Sequence, residues 1–181
     1  GKAGFAIKDD GDIVSVFNTK NSKHKSFAPY SLSLAVNKGG IKLDAYDSIL
    51  PKIYSQAGFK ISSRNKWVDE YAPEGWDKET FREYNGGEPD VVYMHYNPEG
   101  VKLKDVLPKG PEVYDPKNRT RNSQLKKDYD GAVEEQNNWI NDPSGEFIKA
   151  RKEQEKADAL GGIPLSFLGN GQQSRYGGLL A

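Results

Sequence analysis

Cysteine is absent from all 181 residues, which excludes disulfides, thiolate nucleophiles and sulfur-ligated metals while leaving the redox compartment open. Histidine is nearly absent. His24 and His95 stand alone in the sequence and offer little to a metal site. No charge of either sign is in excess: 26 Lys and Arg face 26 Asp and Glu, so no global field draws the chain toward nucleic acid or an anionic membrane. Long hydrophobic runs are missing too, none approaching the roughly 18 apolar residues that span a bilayer. The N-terminus lacks the charged-then-apolar plan of a signal peptide. These absences predict a soluble chain with no metal, no membrane span and no nucleic-acid partner. It opens on Gly1 without Met and enters a strand pattern at once, as a processed product or a fragment of a longer protein does.

What is present is polar for a single domain, with 35% hydrophobic and 29% charged residues. That composition and length predict one core, residues 1–98, and one appendage, residues 99–181. Two β-rich runs, Phe5–Ile7 and Ile13–Phe17, flank Asp9, Asp10, Gly11 and Asp12, a turn cluster that predicts a hairpin. A polar, basic loop follows up to Pro29. Tyr30, Leu32, Leu34, Ala35 and Val36 then predict a short helix, with proline near its start and Gly39-Gly40 beyond its end. Ile41–Tyr46 reads as a strand. Leu50, Ile53, Tyr54 and Ala57 recur at helical spacing before Gly58, which predicts a second helix closed by glycine. A strand at Phe59–Arg64, an aromatic segment through Trp67, Tyr71, Trp76, Phe81 and Tyr84, and a last strand at Asp90–Tyr96 complete a mixed α/β layer.

Beyond Pro98 the character shifts to prolines 108, 111 and 116, then to charged stretches that predict helices at Ser123–Ile140 and Ser144–Leu160, broken around Pro143. The last residues mix glycine with Ile163, Leu165, Phe167, Leu168, Leu179 and Leu180, a composition that suits docking on other protein chains better than a core.

Asp47, Leu50, Tyr54 and the pair Gly58-Phe59 follow the spacing Asn-x-x-Ala-x-x-x-Tyr-x-x-x-Gly-Phe, with Asp in the Asn position and Leu in the Ala position. This element resembles the fourth helix and sixth strand of the GNAT family of N-acetyltransferases. Ile41–Tyr46 is similar to that family's fifth strand, and Gly4–Phe17 to its third and fourth. The likeness covers about residues 4–96, with the Tyr-x-x-x-Gly-Phe element its specific part, and is nearest to acetyltransferase-like domains of bacteriophage proteins. It implies an α+β fold: a mixed, mostly antiparallel GNAT-like sheet with flanking helices, followed by an extended helical or irregular C-terminal arm. It also implies acetyl-CoA in a gap between diverging strands, its pyrophosphate on N–H groups at a helix N-terminus, where such groups are unsatisfied. The family's Arg/Gln-x-x-Gly-x-Gly/Ala loop has no glycine here. Between Lys20 and Pro29 the candidates for phosphate are Lys20, Lys23 and Lys25, as point charges, and Ser26. The family's first strand and first two helices have no counterpart before Gly4.

The resemblance implies that Tyr54 protonates the departing CoA thiolate; the other reading is a helix tyrosine with its ring in the core. Asp44, or else Asp47, is the candidate base for an amine, against a capping or solvated role. Trp67 to Trp76, rich in rings and acids, either lines a pocket for a cationic amine or folds back to cap the sheet. His95 at a strand end is a candidate acid or base or a structural residue.

Two functions follow. In one, the chain is a non-catalytic acetyltransferase-like module, a virion or other structural protein of a phage particle or of the host cytoplasm, docking through residues 99–181. In the other it is an acetyl-CoA-dependent N-acetyltransferase acting on a primary amine, working by proximity with modest acid–base help. Nucleic-acid binding would rest on scattered lysines and rings alone.

Overall fold

The computed structural model describes residues 2–19, 27–98, 119–142 and 144–159. It is an α+β arrangement of antiparallel sheets and helices. Strands β1 (Ala3–Ile7) and β2 (Ile13–Asn18) form an antiparallel hairpin. Its turn closes through Gly11 N–H to the Lys8 carbonyl and Lys8 N–H to the Asp12 carbonyl, both 2.9 Å. Helix α1 (Phe27–Asn37) carries Pro29 in its first turn, where no N–H is needed, and ends as Gly40 N–H reaches the Ala35 carbonyl at 2.8 Å. Strand β3 (Lys42–Tyr46), helix α2 (Leu50–Ser55) and strand β4 (Phe59–Asn65) follow. Gly58 between the last two has φ of 92°, the left-handed value that a helix turning straight into a strand asks of glycine.

Strand β5 (Val91–Tyr96) enters between β3 and β4 and pairs antiparallel with both, giving the order β3-β5-β4. Its sequence VVYMHY is buried from Val92 to His95 because both faces of this central strand are covered. Val92 and Met94 join Ile13, Leu32, Ala35, Leu43, Tyr54 and Phe59 in an apolar cluster under α1 and α2. Tyr93 and His95 point to the other face.

That other face is covered by helices the sequence assigns to a polar appendage. Helix α3 (Arg119–Gln124), helix α4 (Tyr129–Ile140) and helix α5 (Glu146–Ala159) follow the second gap in the described residues. α4 lies on β4 and β5. Ser63 donates to the Ala132 carbonyl at 2.7 Å, and Gln136 donates to the carbonyls of Leu43 and Met94 at 3.1 and 2.9 Å. The described part of the extension is therefore a second layer on the same sheet, and residue 98 does not separate a core from an arm there. The helix expected over Ser123–Ile140 is also interrupted. Leu125 forms a parallel bridge with Arg64, Lys126 N–H binds the Arg64 carbonyl at 2.8 Å, and Asp128 then caps α4 by accepting from Gly131 N–H at 2.9 Å. The sheet edge competes for this backbone and wins. Among the described residues no helix is long and apolar enough to cross a membrane.

Candidate functional site

The two sheets meet at one point. Asp12 and Lys42 form a single parallel bridge, with Gly11 offering its carbonyl to Ile41 N–H at 2.9 Å and to Lys42 N–H at 3.3 Å. Gly11 holds φ of 83°, and a Cβ there would stand 2.6 Å from Ile41 Cγ1 and 2.9 Å from the Gly39 carbonyl oxygen, so only glycine allows this approach. Past the bridge β2 and β3 do not pair. Between Gly4–Phe17 and Ala6–Val14, β2 carries one more residue than β1, a bulge at which Ser15 takes φ of 58°. A bulge bends its strand, and Ser15 and Val16 line one wall of the groove that opens there.

The groove has a volume of about 1380 Å³. Asp44, Ala45 and Tyr46 of β3 and Leu50 and Tyr54 of α2 also line it, Asp44 on the sheet face of its cross-strand partner Tyr93 and Tyr54 on the opposite face with Val92 and Met94. Thus Asp44 and Tyr54, on different elements, are brought to one groove. Tyr54 is also part of the apolar cluster, only 8% exposed, and burial raises its phenol above the ordinary value. It keeps its proton at neutral pH. Asp44 reaches solvent but is crowded by the groove walls; desolvation, then the nearby Asp12 carboxylate, raise its carboxyl above the usual range. Lys20, Lys23, Lys25 and Ser26 lie outside the described residues.

The outer wall comes from the aromatic segment and from the α3–α4 connection. Trp67 packs on Tyr46 with ring centroids 5.4 Å apart, and Trp76 sits behind both at 5.1 Å from Tyr46 and 5.2 Å from Trp67. Phe81 stacks on Trp76 at 4.2 Å. The indole N–H groups are anchored, Trp67 to Asp69 and Trp76 to the Gly87 carbonyl, each at 2.8 Å, while Lys78 ties Asp69 to Glu88 at 2.6 Å. The segment folds back onto the sheet edge, and its first part, Trp67, Val68 and Tyr71, also lines the groove. The segment thus caps the sheet edge, and some of its residues also line the groove. Across from it stand Tyr93, whose hydroxyl donates to Asn65 at 2.8 Å, and Tyr129, edge-on to Tyr93 at 6.0 Å.

Two candidates lie elsewhere. Asp47 is held by Arg64 at 2.5 Å, in a cluster in which Arg64 also binds Asp90 at 3.2 Å and Gln124 at 3.0 and 3.1 Å, and Arg121 grips Asp90 at 2.6 and 2.9 Å. Asp47 is engaged there and does not line the groove. His95 is 2% exposed, bonded through Nδ1 to the Ser62 hydroxyl at 2.7 Å and stacked on Trp139 at 4.8 Å; burial pushes it down to about 4, so the ring is neutral near pH 7. It belongs to the α4 interface. The sequence offers no local signal for Tyr93, Tyr129 or the Arg64–Asp90–Arg121 cluster, since their partners are tens of residues away. No group of His, Asp and Glu suited to a metal ion occurs among the described residues.

No family model matches this chain, nor does any curated protein or any solved structure.

Proposed function

We propose that the groove binds an acyl thioester carried on an amide-bearing arm of the coenzyme A type, and transfers its acyl group to an amine. The observation that carries this reading is the single parallel contact of β2 with β3, followed by divergence, at a groove that holds both Asp44 and Tyr54. Diverging strands leave backbone N–H and C=O groups facing the gap, and an extended chain with its own amides can bond to them as an added strand does. The order β3-β5-β4 and the bulge at Ser15 support a GNAT-like architecture for the same reason: they turn two strand edges toward a ligand.

In this reaction the amine nitrogen attacks the thioester carbonyl carbon, and the carbon–sulfur bond breaks to release a thiolate. The proton lost from nitrogen passes to Asp44, whose raised affinity for protons suits it to the task. The thiolate is met by the Tyr54 hydroxyl. A thiol has an ordinary pKa of about 8.5 and a phenol of about 10, and burial raises Tyr54 further. Tyr54 therefore helps mainly by a hydrogen bond to the developing thiolate, and full proton transfer from it runs uphill. The modest expected contribution follows: Tyr54→Phe lowers kcat by about tenfold with acetyl-CoA binding preserved, measured by thiol release.

A second reading is a non-catalytic acetyltransferase-like module of a larger assembly such as a phage particle, docking on other protein chains through residues 99–181. The missing glycine between residues 21 and 29 and the membership of Tyr54 in the apolar cluster favour it. Calorimetric titration with acetyl-CoA separates the two. Saturable heat supports acyl transfer; none at millimolar ligand leaves the module.

A further inference from the structure

Among the described residues, one carboxylate in the groove, Asp44, is in no salt bridge, and Asp12 and Lys8 are the neighbouring side chains whose charges act on it. The lysines that line the groove, Lys66, Lys126 and Lys127, are not among those charges. Lys126 is held instead by Glu135 in the α4–α5 interface. Asp128, the other acid of the groove, is occupied in capping α4.

Around Asp44 the surfaces are rings. Tyr93 is its cross-strand partner in β5, Tyr46 lies two residues along the same strand and so on the same face, and the Asp44 charge acts on both phenols. Trp67 continues the wall from Tyr46, and Tyr129 continues it from Tyr93. Tyr71, 76% exposed, and Tyr129, 63% exposed, also line the groove and are largely open to solvent. Ring faces attract cations and bury apolar groups alike, and a carboxylate among them favours an ammonium over an anion.

We propose that this face of the groove binds a hydrophobic monoamine, a single ammonium held by Asp44 on an arylalkyl body held by Tyr46, Trp67, Tyr71, Tyr93 and Tyr129. One uncommitted carboxylate matches one positive charge; a polyamine or a polyhydroxylated polycation would need several. The role of this ligand as acyl acceptor rests on the acyl-transfer reading. Its binding does not.

The test uses the full chain without any thioester. Phenethylamine is titrated by calorimetry and by quenching of tryptophan fluorescence, with 3-phenylpropionate and spermidine as controls. Saturable binding of phenethylamine is expected, weakened about tenfold or more by Asp44→Asn and several-fold by Tyr71→Ala, both solvent-exposed positions. Weak or absent binding of the two controls completes the expected result. Absence of phenethylamine binding, equal affinity in Asp44→Asn, or equal binding of 3-phenylpropionate overturns the proposal. If phenethylamine binds and acetyl-CoA does not, acyl transfer falls and the amine site stands; the reverse outcome removes the amine site alone.

Discussion

The two faces of the β3-β5-β4 sheet are both buried, by opposite chemistry. Under α1 and α2 the contact is apolar, with Leu32, Phe59, Val92 and Met94 fully buried. Under α4 and α5 it is largely polar: Ser62, Ser63, His95, Glu135, Gln136 and Arg151 are buried, with Arg151 3.1 Å from Glu135, and Arg64 and Asp90 form a further buried polar cluster with α3 at the end of the sheet. An apolar face tolerates loose partners and is stabilised in proportion to area. A polar face is stable only if each charge finds its counterpart, which makes it fragile toward single deletions and demanding of one geometry.

Single substitutions break that comparison most sharply. Asp90→Ala leaves Arg121 and part of Arg64 without their shared carboxylate in a buried site, and is expected to destabilise by about 4 kcal/mol. Leu32→Ala in the apolar cluster removes buried methyl groups and leaves a cavity, with an expected loss of about 3 kcal/mol. Urea unfolding of the two variants checks the order. If Asp90→Ala proves the milder, that polar cluster is wetter than its burial implies.

Acid sharpens the contrast, because it acts on one face and not the other. His95 is held at about 4 in the fold against 6.5 when unfolded, so the unfolded chain takes up its proton first. Its contribution is fully present above pH 6.5 and is lost as pH falls toward 4, amounting to roughly 2 kcal/mol by about pH 4.5. Stability curves of the parent and His95→Gln, measured across that window, are expected to converge on acidification. Parallel curves would mean that the ring is hydrated.

The smallest expected effect lies at the seam between the hairpin and the three-stranded sheet. Gly11→Ala forces a Cβ against Ile41 and the Gly39 carbonyl at a positive φ, destabilising by about 1–2 kcal/mol. Neither face loses a contact. Hydrogen exchange at Ile41 and Lys42, whose amides bond to Gly11, is expected to accelerate while β5 stays protected, and uniform protection would show that the seam is not a separate unit.

Much of this chain is legible locally. The turn residues Asp9 to Asp12, proline and glycine around α1, and Gly58 before Phe59 act through backbone preferences a few residues wide, and their elements stand within a few residues of where the sequence predicts them. The exceptions share one cause. The helix expected from Ser123 breaks because Leu125 and Lys126 meet Arg64, some sixty residues earlier, and the polar helices join the sheet because Ser63 bonds to Ala132 and Gln136 to Leu43, 69 and 93 residues apart. Asp44 and Tyr54 are recognisable as candidates from the sequence. Tyr93 and Tyr129, which complete the groove around Asp44, are not.

By itself the sequence determined most of the helices and strands up to Tyr96, because periodicity, caps and turns are short-range properties of neighbouring side chains and dihedrals. Only the tertiary structure decided which carboxylates are paired and which one faces a groove. Pairing depends on distances between residues far apart along the chain, and no local pattern carries that information.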